Sequence, residues 1–161
     1  MDFSKLVVPK DLTRVVPRSP RQRVGGYVIL GRTIDKCRSA VAGTLGDYHY
    51  DCPLDRMLFE FKGIHADDFR AKVMDADSDK EVIIWFDSMG SLRSAEQIKS
   101  WGDRMEAYKP FDDPAKHAWF RAECEPLNLD PAKTTLFDYL EADDRAFCER
   151  IVRENPMSIG N

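Results

Sequence analysis

Helix-start signals punctuate this chain at short intervals, and nothing in it alternates as a half-buried strand would. Ser78-Asp79-Lys80-Glu81 and Ser94-Ala95-Glu96-Gln97 are capping-box patterns, in which the hydroxyl and the third residue on each take an orphan N–H. Cys52-Pro53 and Asp113-Pro114 put proline at a favourable first helical position. Thr134 or Thr135 opens a last helix. Glycines 43, 46, 63 and 90 and prolines 110 and 126 supply the stops. Between starts and stops, apolar residues recur at spacings of three and four: Ile34, Cys37, Val41, Leu45; Leu54, Leu58, Phe61; Phe69, Val73; Ile98, Trp101, Met105. Only Val24–Leu30 and Leu6-Val7-Val8 have any strand character.

This pattern predicts an all-α fold, a single compact irregular bundle of about six or seven helices with short connections. The first helix falls within Tyr27–Leu45, at least from Arg32. Residues 1–26 read as an extended N-terminal arm, because Pro9, Pro17 and Pro20 withhold backbone donors and Gly25-Gly26 closes the segment. Leu6, Val7, Val8, Val15 and Val16 require that the arm be covered. Residues 27–153 form the helical body, and 154–161 a frayed tail.

Charge separates these parts. Residues 1–38 carry nine Lys and Arg against three Asp, or +6, and the remainder carries −10. The total of −4 argues against a nucleic-acid partner, since an acidic body repels phosphates. A basic arm on an acidic body predicts that Arg18 and Arg21 clamp onto the cluster around Asp138 and Glu141, in cis or across a homo-oligomer. With 43% apolar residues the chain is neither disordered nor membrane-spanning, as no run approaches the ~18 apolar residues of a spanning helix. Without a secretory signal the expected compartment is the cytoplasm.

Long phrases carry a family likeness: Pro17–Arg21, Gly25–Leu30, Ile34–Arg38, Gly43–Asp55 with its Gly-Thr-Leu-Gly-Asp-Tyr-His-Tyr-Asp-Cys-Pro-Leu-Asp run, and Leu136–Asp144. The chain resembles an uncharacterised bacterial family of domains of unknown function, of about this size. The resemblance implies one bacterial domain and brings no activity, cofactor or catalytic residue.

The residues themselves point first to Tyr48, His49, Tyr50, Asp51, Cys52 and Asp55 as a ligand-binding loop. Cys52 stands at a helix start, where aligned dipoles favour an anion, and His49 is close enough to act as base or ion partner. Cys52 and His49 are therefore the catalytic candidates. The bland alternative has Asp51 capping the helix, Cys52 filling core and the tyrosines packing. No CxxC pair and no HxxxH pair occurs, so no metal or other cofactor is expected, and the four cysteines read as free, mostly buried thiols. His65 begins a helix, His117 lies near Trp119 on a partly exposed face, and Trp85, Trp101 and Trp119 read as core. With no P-loop, GxGxxG, GxSxG or HExxH, the leading expectation is a domain that binds a small molecule or protein partner without catalysis. A thiol-dependent enzyme using Cys52 with His49, and an oligomeric scaffold held by the arm, stay open beside it.

Overall fold

The computed structural model describes residues 7–156. It contains seven α-helices: α1 (Leu30–Ala42), α2 (Pro53–Lys62), α3 (Ala66–Asp75), α4 (Asp79–Ser88), α5 (Ala95–Ala107), α6 (His117–Cys124) and α7 (Leu136–Glu154). Short 3₁₀ turns at Pro110–Asp112, Pro114–Lys116 and Glu125–Leu127 flank α6. The fold is all-α, and the described residues include no strand. Val24 and Tyr27 form an isolated bridge, bonding each other through both N–H and C=O at 3.0 Å around Gly25-Gly26. Leu6, the frayed-tail reading beyond Pro156 and the first six residues of the arm lie outside the described residues.

The caps explain the boundaries. The Ser78 hydroxyl accepts from Glu81 N–H, Ser94 from Gln97 N–H, and Thr135 from Asp138 N–H. His65 is the N-cap of α3. At the start of α2 the cap of the bland alternative, Asp51, is displaced by its neighbour, and Cys52 stands at the helix start as the leading reading has it. Asp51 adopts a left-handed conformation (φ 60°) and accepts from Arg56, leaving Cys52 as N-cap with Asp55 reaching back to its N–H at 3.4 Å. At Asp113-Pro114 the cap starts a 3₁₀ turn, and the α-helix begins only at His117.

The chain divides into two compact units, Met1–Ser100 and Trp101–Asn161. In the first, α1 packs on α2 and α3, and α3 on α4. Tyr27, Leu30, Ile34, Leu58, Phe69 and Phe86 are fully buried, each worth about 1.5–3 kcal/mol relative to exposure. Phe69 sits amid Tyr50, Phe59, Trp85 and Phe86, at ring separations of 5.1–6.3 Å. Ile29, also buried, has φ 72°, which costs a β-branched residue on the order of 1–3 kcal/mol. Its N–H on Pro20 O at 2.8 Å and the Leu30 N–H on Val28 O at 2.8 Å hold the sharp turn into α1.

Lys62, the last residue of α2, is completely buried. Its ammonium donates to the carbonyls of Asp87 (3.1 Å) and Ser91 (3.0 Å) and lies over the rings of Tyr27 and Phe86. Burial pushes its pKa below the ordinary lysine value. In the second unit, Phe120, Cys124, Phe137, Leu136 and Tyr139 are buried, and the Tyr139 hydroxyl donates to Glu123.

Several apolar positions differ from the expectation. Trp101 is buried and Trp85 half-buried, but Trp119 is 48% exposed. The eight-residue α6 turns Phe120 and Cys124 inward, which leaves the adjacent position outward. Val41 and Met89 are also exposed, because Gly43 closes α1 one residue after Ala42 and α4 stops before Met89. In the arm Leu12 is buried, whereas Val8 and Val15 stand exposed. Of the thiols, Cys37 and Cys124 are buried, Cys52 half-buried and Cys148 exposed, all free.

Candidate functional site

The loop before α2 is built around a buried ion pair. Thr33 and Lys36 lie one turn apart on α1, and both face Asp55 of α2. The Asp55 carboxylate, wholly buried, accepts from the Thr33 hydroxyl at 2.7 Å and from Lys36 Nζ at 2.9 and 3.0 Å. Lys36 also donates to Cys52 Sγ at 3.1 Å. Its charge is therefore shared between a matched carboxylate and the thiol.

The other loop residues divide by burial. The Tyr50 hydroxyl donates to Ala66 O at 2.6 Å and the ring packs against Phe59 and Phe69, so burial raises its pKa. Tyr48 lies beneath the Arg32 guanidinium at 5.5 Å. His49 is exposed, and no hydrogen bond joins it to Cys52 among the described residues. Cys52 instead takes Lys36, a residue that the spacing of the loop does not point to.

Arg18 finds its carboxylates inside the first unit. Its Nη2 meets Asp35 Oδ1 at 3.0 Å, its Nε and backbone N–H meet Oδ2, and its Nη1 meets Asp79 Oδ2 at 2.8 Å. Lys10 adds a contact to Asp35 at 3.3 Å, and Arg38 Nη1 donates to Asp79 Oδ1. Arg21 is half-buried in the arm, Asp138 completes the Thr135 cap with a 3.5 Å bond from its N–H, and Glu141 lies on the same helix, half-buried.

The resulting relay, Lys10–Asp35–Arg18–Asp79–Arg38, joins three cations to two carboxylates. Burial opposes the ionised form of Asp79, but the bonds and charges of Arg38 and Arg18 outweigh it and hold the carboxyl below its ordinary pKa. Burial also opposes the charge on Arg18, and Asp35 and Asp79 reverse that effect, raising its pKa.

At its far end the relay is incomplete. Arg38 is only 12% exposed, and its Nη2 has no hydrogen-bond partner among the described residues. A buried donor without an acceptor is rare and costly. Arg38 lines an open hollow of about 220 Å³, and the other described residues along it carry apolar side chains: Val7 and Pro9 from the arm, Val41 and Ala42 from α1, and Val73, Met74 and Ala76 around the end of α3. The sequence signal for this site is an arginine set beside the α1 stripe, one turn from both Ile34 and Val41.

A second hollow of about 490 Å³ lies beside Gly25-Gly26 and the start of α5, with Arg23, Arg93, Lys99 and Asp87 along its walls. There the polar side chains have partners within the protein: Arg93 donates to Phe61 O at 3.0–3.1 Å, Asp87 accepts from the Tyr27 hydroxyl at 2.8 Å, and Arg23 and Lys99 are engaged too. Among the described residues no group of three or more His, Cys, Asp or Glu is placed to hold a metal ion, and no helix is long and apolar enough to cross a membrane.

Fold and site together define a small all-α domain carrying a relay of partly buried charges. The chain belongs to DUF5069, a family of domains of unknown function, whose pattern matches residues 14–146. The family likeness seen in the Gly43–Asp55 run and its companion phrases is thereby established. No curated protein matches the chain.

Proposed function

We propose that this domain binds a small molecule in the Arg38 hollow and does so without catalysis. The observation that carries the reading is the hollow of about 220 Å³ that sets the largely buried guanidinium of Arg38 beside Val41, Val73 and Met74. A ligand seated there gains from burial of its apolar portion, and a cation beside the hollow favours one that carries acceptor groups. Binding rather than turnover is the reading we favour because the described residues of the wall include no nucleophile. A bacterial cytoplasm is the setting we assign, in keeping with four free thiols, and net charge −4 favours a small-molecule ligand over nucleic acid.

The test is a fragment set followed by ligand-observed NMR on the full chain, repeated on Ala42→Trp, which fills the hollow from an exposed position. Fragments that contact the wild type should lose contact with the variant. A set in which no fragment distinguishes the two proteins defeats the reading.

A second reading, thiol chemistry at Cys52, is favoured by the 3.1 Å contact from Lys36 and by the N-cap position. It requires Cys52 to alkylate faster than the exposed Cys148. Slower alkylation removes it.

A further inference from the structure

We infer that the second hollow, beside Gly25-Gly26 and the start of α5, is a binding site for a small soluble phosphate monoester, its phosphoryl oxygens held by Arg23, Arg93 and Lys99. This hollow shares no described lining residue with the one at Arg38, so the two sites stand or fall separately.

Room, donors and rigidity carry the inference. The hollow holds about 490 Å³, within the ~300–1,000 Å³ of pockets that take small organic ligands. Its basic residues come from separate stretches: Arg23 from the end of the arm, Arg93 from the α4–α5 connection and Lys99 from the second turn of α5. Guanidinium and ammonium groups only donate, and each carries several N–H groups, so a residue already engaged within the protein can serve a ligand as well. Asp87, along the same walls, already accepts from the Tyr27 hydroxyl at 2.8 Å. An occupant must therefore bring acceptors. A phosphoryl group brings three strong acceptor oxygens, one for each cation, where a carboxylate brings two. Asp87, itself an acceptor, suits a hydroxyl on the organic part.

Arg93 is set in place before a ligand arrives. Its Nε and Nη2 donate to Phe61 O at 3.1 and 3.0 Å, and its guanidinium lies over the Phe61 ring at 4.8 Å. Little freedom is then lost on binding. The charge of Arg93 also opposes that of the buried Lys62, whose ammonium donates to the Asp87 carbonyl, and an anion at this wall relieves the repulsion. The rim is exposed backbone. A Cβ at Gly25 would lie 2.5 Å from Ile83 Cγ2, so a side chain does not fit at this edge.

The experiment titrates the full chain with ribose 5-phosphate, ribose and inorganic sulfate at fixed ionic strength, following backbone amide shifts by NMR. Ribose 5-phosphate should shift amides of residues 25–26 and 95–99 and bind at least about tenfold more tightly than either control. Arg23→Gln combined with Lys99→Gln should weaken it by about tenfold or more. Ala95→Trp, which fills the hollow from an exposed position, should abolish it. Ribose or sulfate binding as well as the ester overturns the monoester. Shifts confined to residues 38–42 and 73–76 move the ligand to the Arg38 hollow and overturn this site, and so does the absence of any shift. Capture by phosphatidic acid vesicles with no response to ribose 5-phosphate assigns the cations to a lipid headgroup and overturns the soluble ester. Should the double variant fail to fold, the ester-to-ribose ratio on the wild type and the Ala95→Trp chain decide.

Discussion

Lys36 and Asp55 form an ion pair that water does not reach: the ammonium lies 2.9 Å from one carboxylate oxygen and 3.0 Å from the other, with 3% and 0% of the two side chains exposed. The pair ties α1 to α2 and fixes the loop that presents Cys52. Breaking such a pair on one side leaves an uncompensated buried charge. Lys36→Met should therefore cost about 3–5 kcal/mol in urea unfolding, and Lys36→Met with Asp55→Leu should recover much of it. A single variant within about 1 kcal/mol of wild type would show that the pair opens to solvent.

Gly90 and Gly43 both adopt positive φ, at 63° and 75°, yet only one is crowded. A Cβ at Gly90 would sit 1.9 Å from the Lys62 carbonyl oxygen, whereas one at Gly43 meets nothing within 4 Å. Gly43→Ala should cost on the order of 1 kcal/mol, from backbone conformation alone. Gly90→Ala should cost clearly more, and calorimetric melting of the two variants side by side checks the order.

Thiol reactivity should follow burial. Burial pushes the Cys37 pKa up to about 11, against a smaller opposing bond from Tyr50, and it raises that of Cys124 as well. Residue-resolved alkylation at about pH 8 should label Cys148 early, with Cys37 and Cys124 reacting only as the protein unfolds. Rapid native labelling of Cys37 would contradict its placement in the α1 core.

Asp79 makes stability acid-sensitive. Its folded pKa lies below the ordinary carboxyl value of 3.8, so the unfolded chain takes up the proton first as pH falls. The contribution is complete well above pH 3.8 and is lost as pH drops through the folded value. In Asp79→Asn the fall in stability below about pH 4 should be shallower than in wild type. Parallel pH profiles from urea unfolding would show that the carboxylate contributes nothing.

What sequence alone discloses here is what acts over a few residues. Ser78 with Glu81, Ser94 with Gln97, and Thr135 with Asp138 are each three apart, and all mark real helix starts. The relay is built over longer separations: Arg18 reaches Asp35 seventeen residues on and Asp79 sixty-one, and Arg38 reaches Asp79 across forty-one. No local pattern encodes such pairings. Burial in short helices is also set by neighbours, which is why Trp119 and Val41 are exposed despite their spacing. The Tyr48–Asp55 loop stood out because its residue types are conspicuous, yet Asp55 and Tyr50 are occupied in holding helices together.

Lys62 holds two segments with one side chain and one peptide group. Its ammonium donates to the carbonyls of Asp87 and Ser91, while its own carbonyl accepts the Ser91 N–H at 2.6 Å. Neither the end of α2 nor the turn after α4 can lift away without stranding a charge in an aromatic enclosure. The two ends therefore form one cooperative opening unit, and hydrogen exchange at the Ser91 amide should report on both at once.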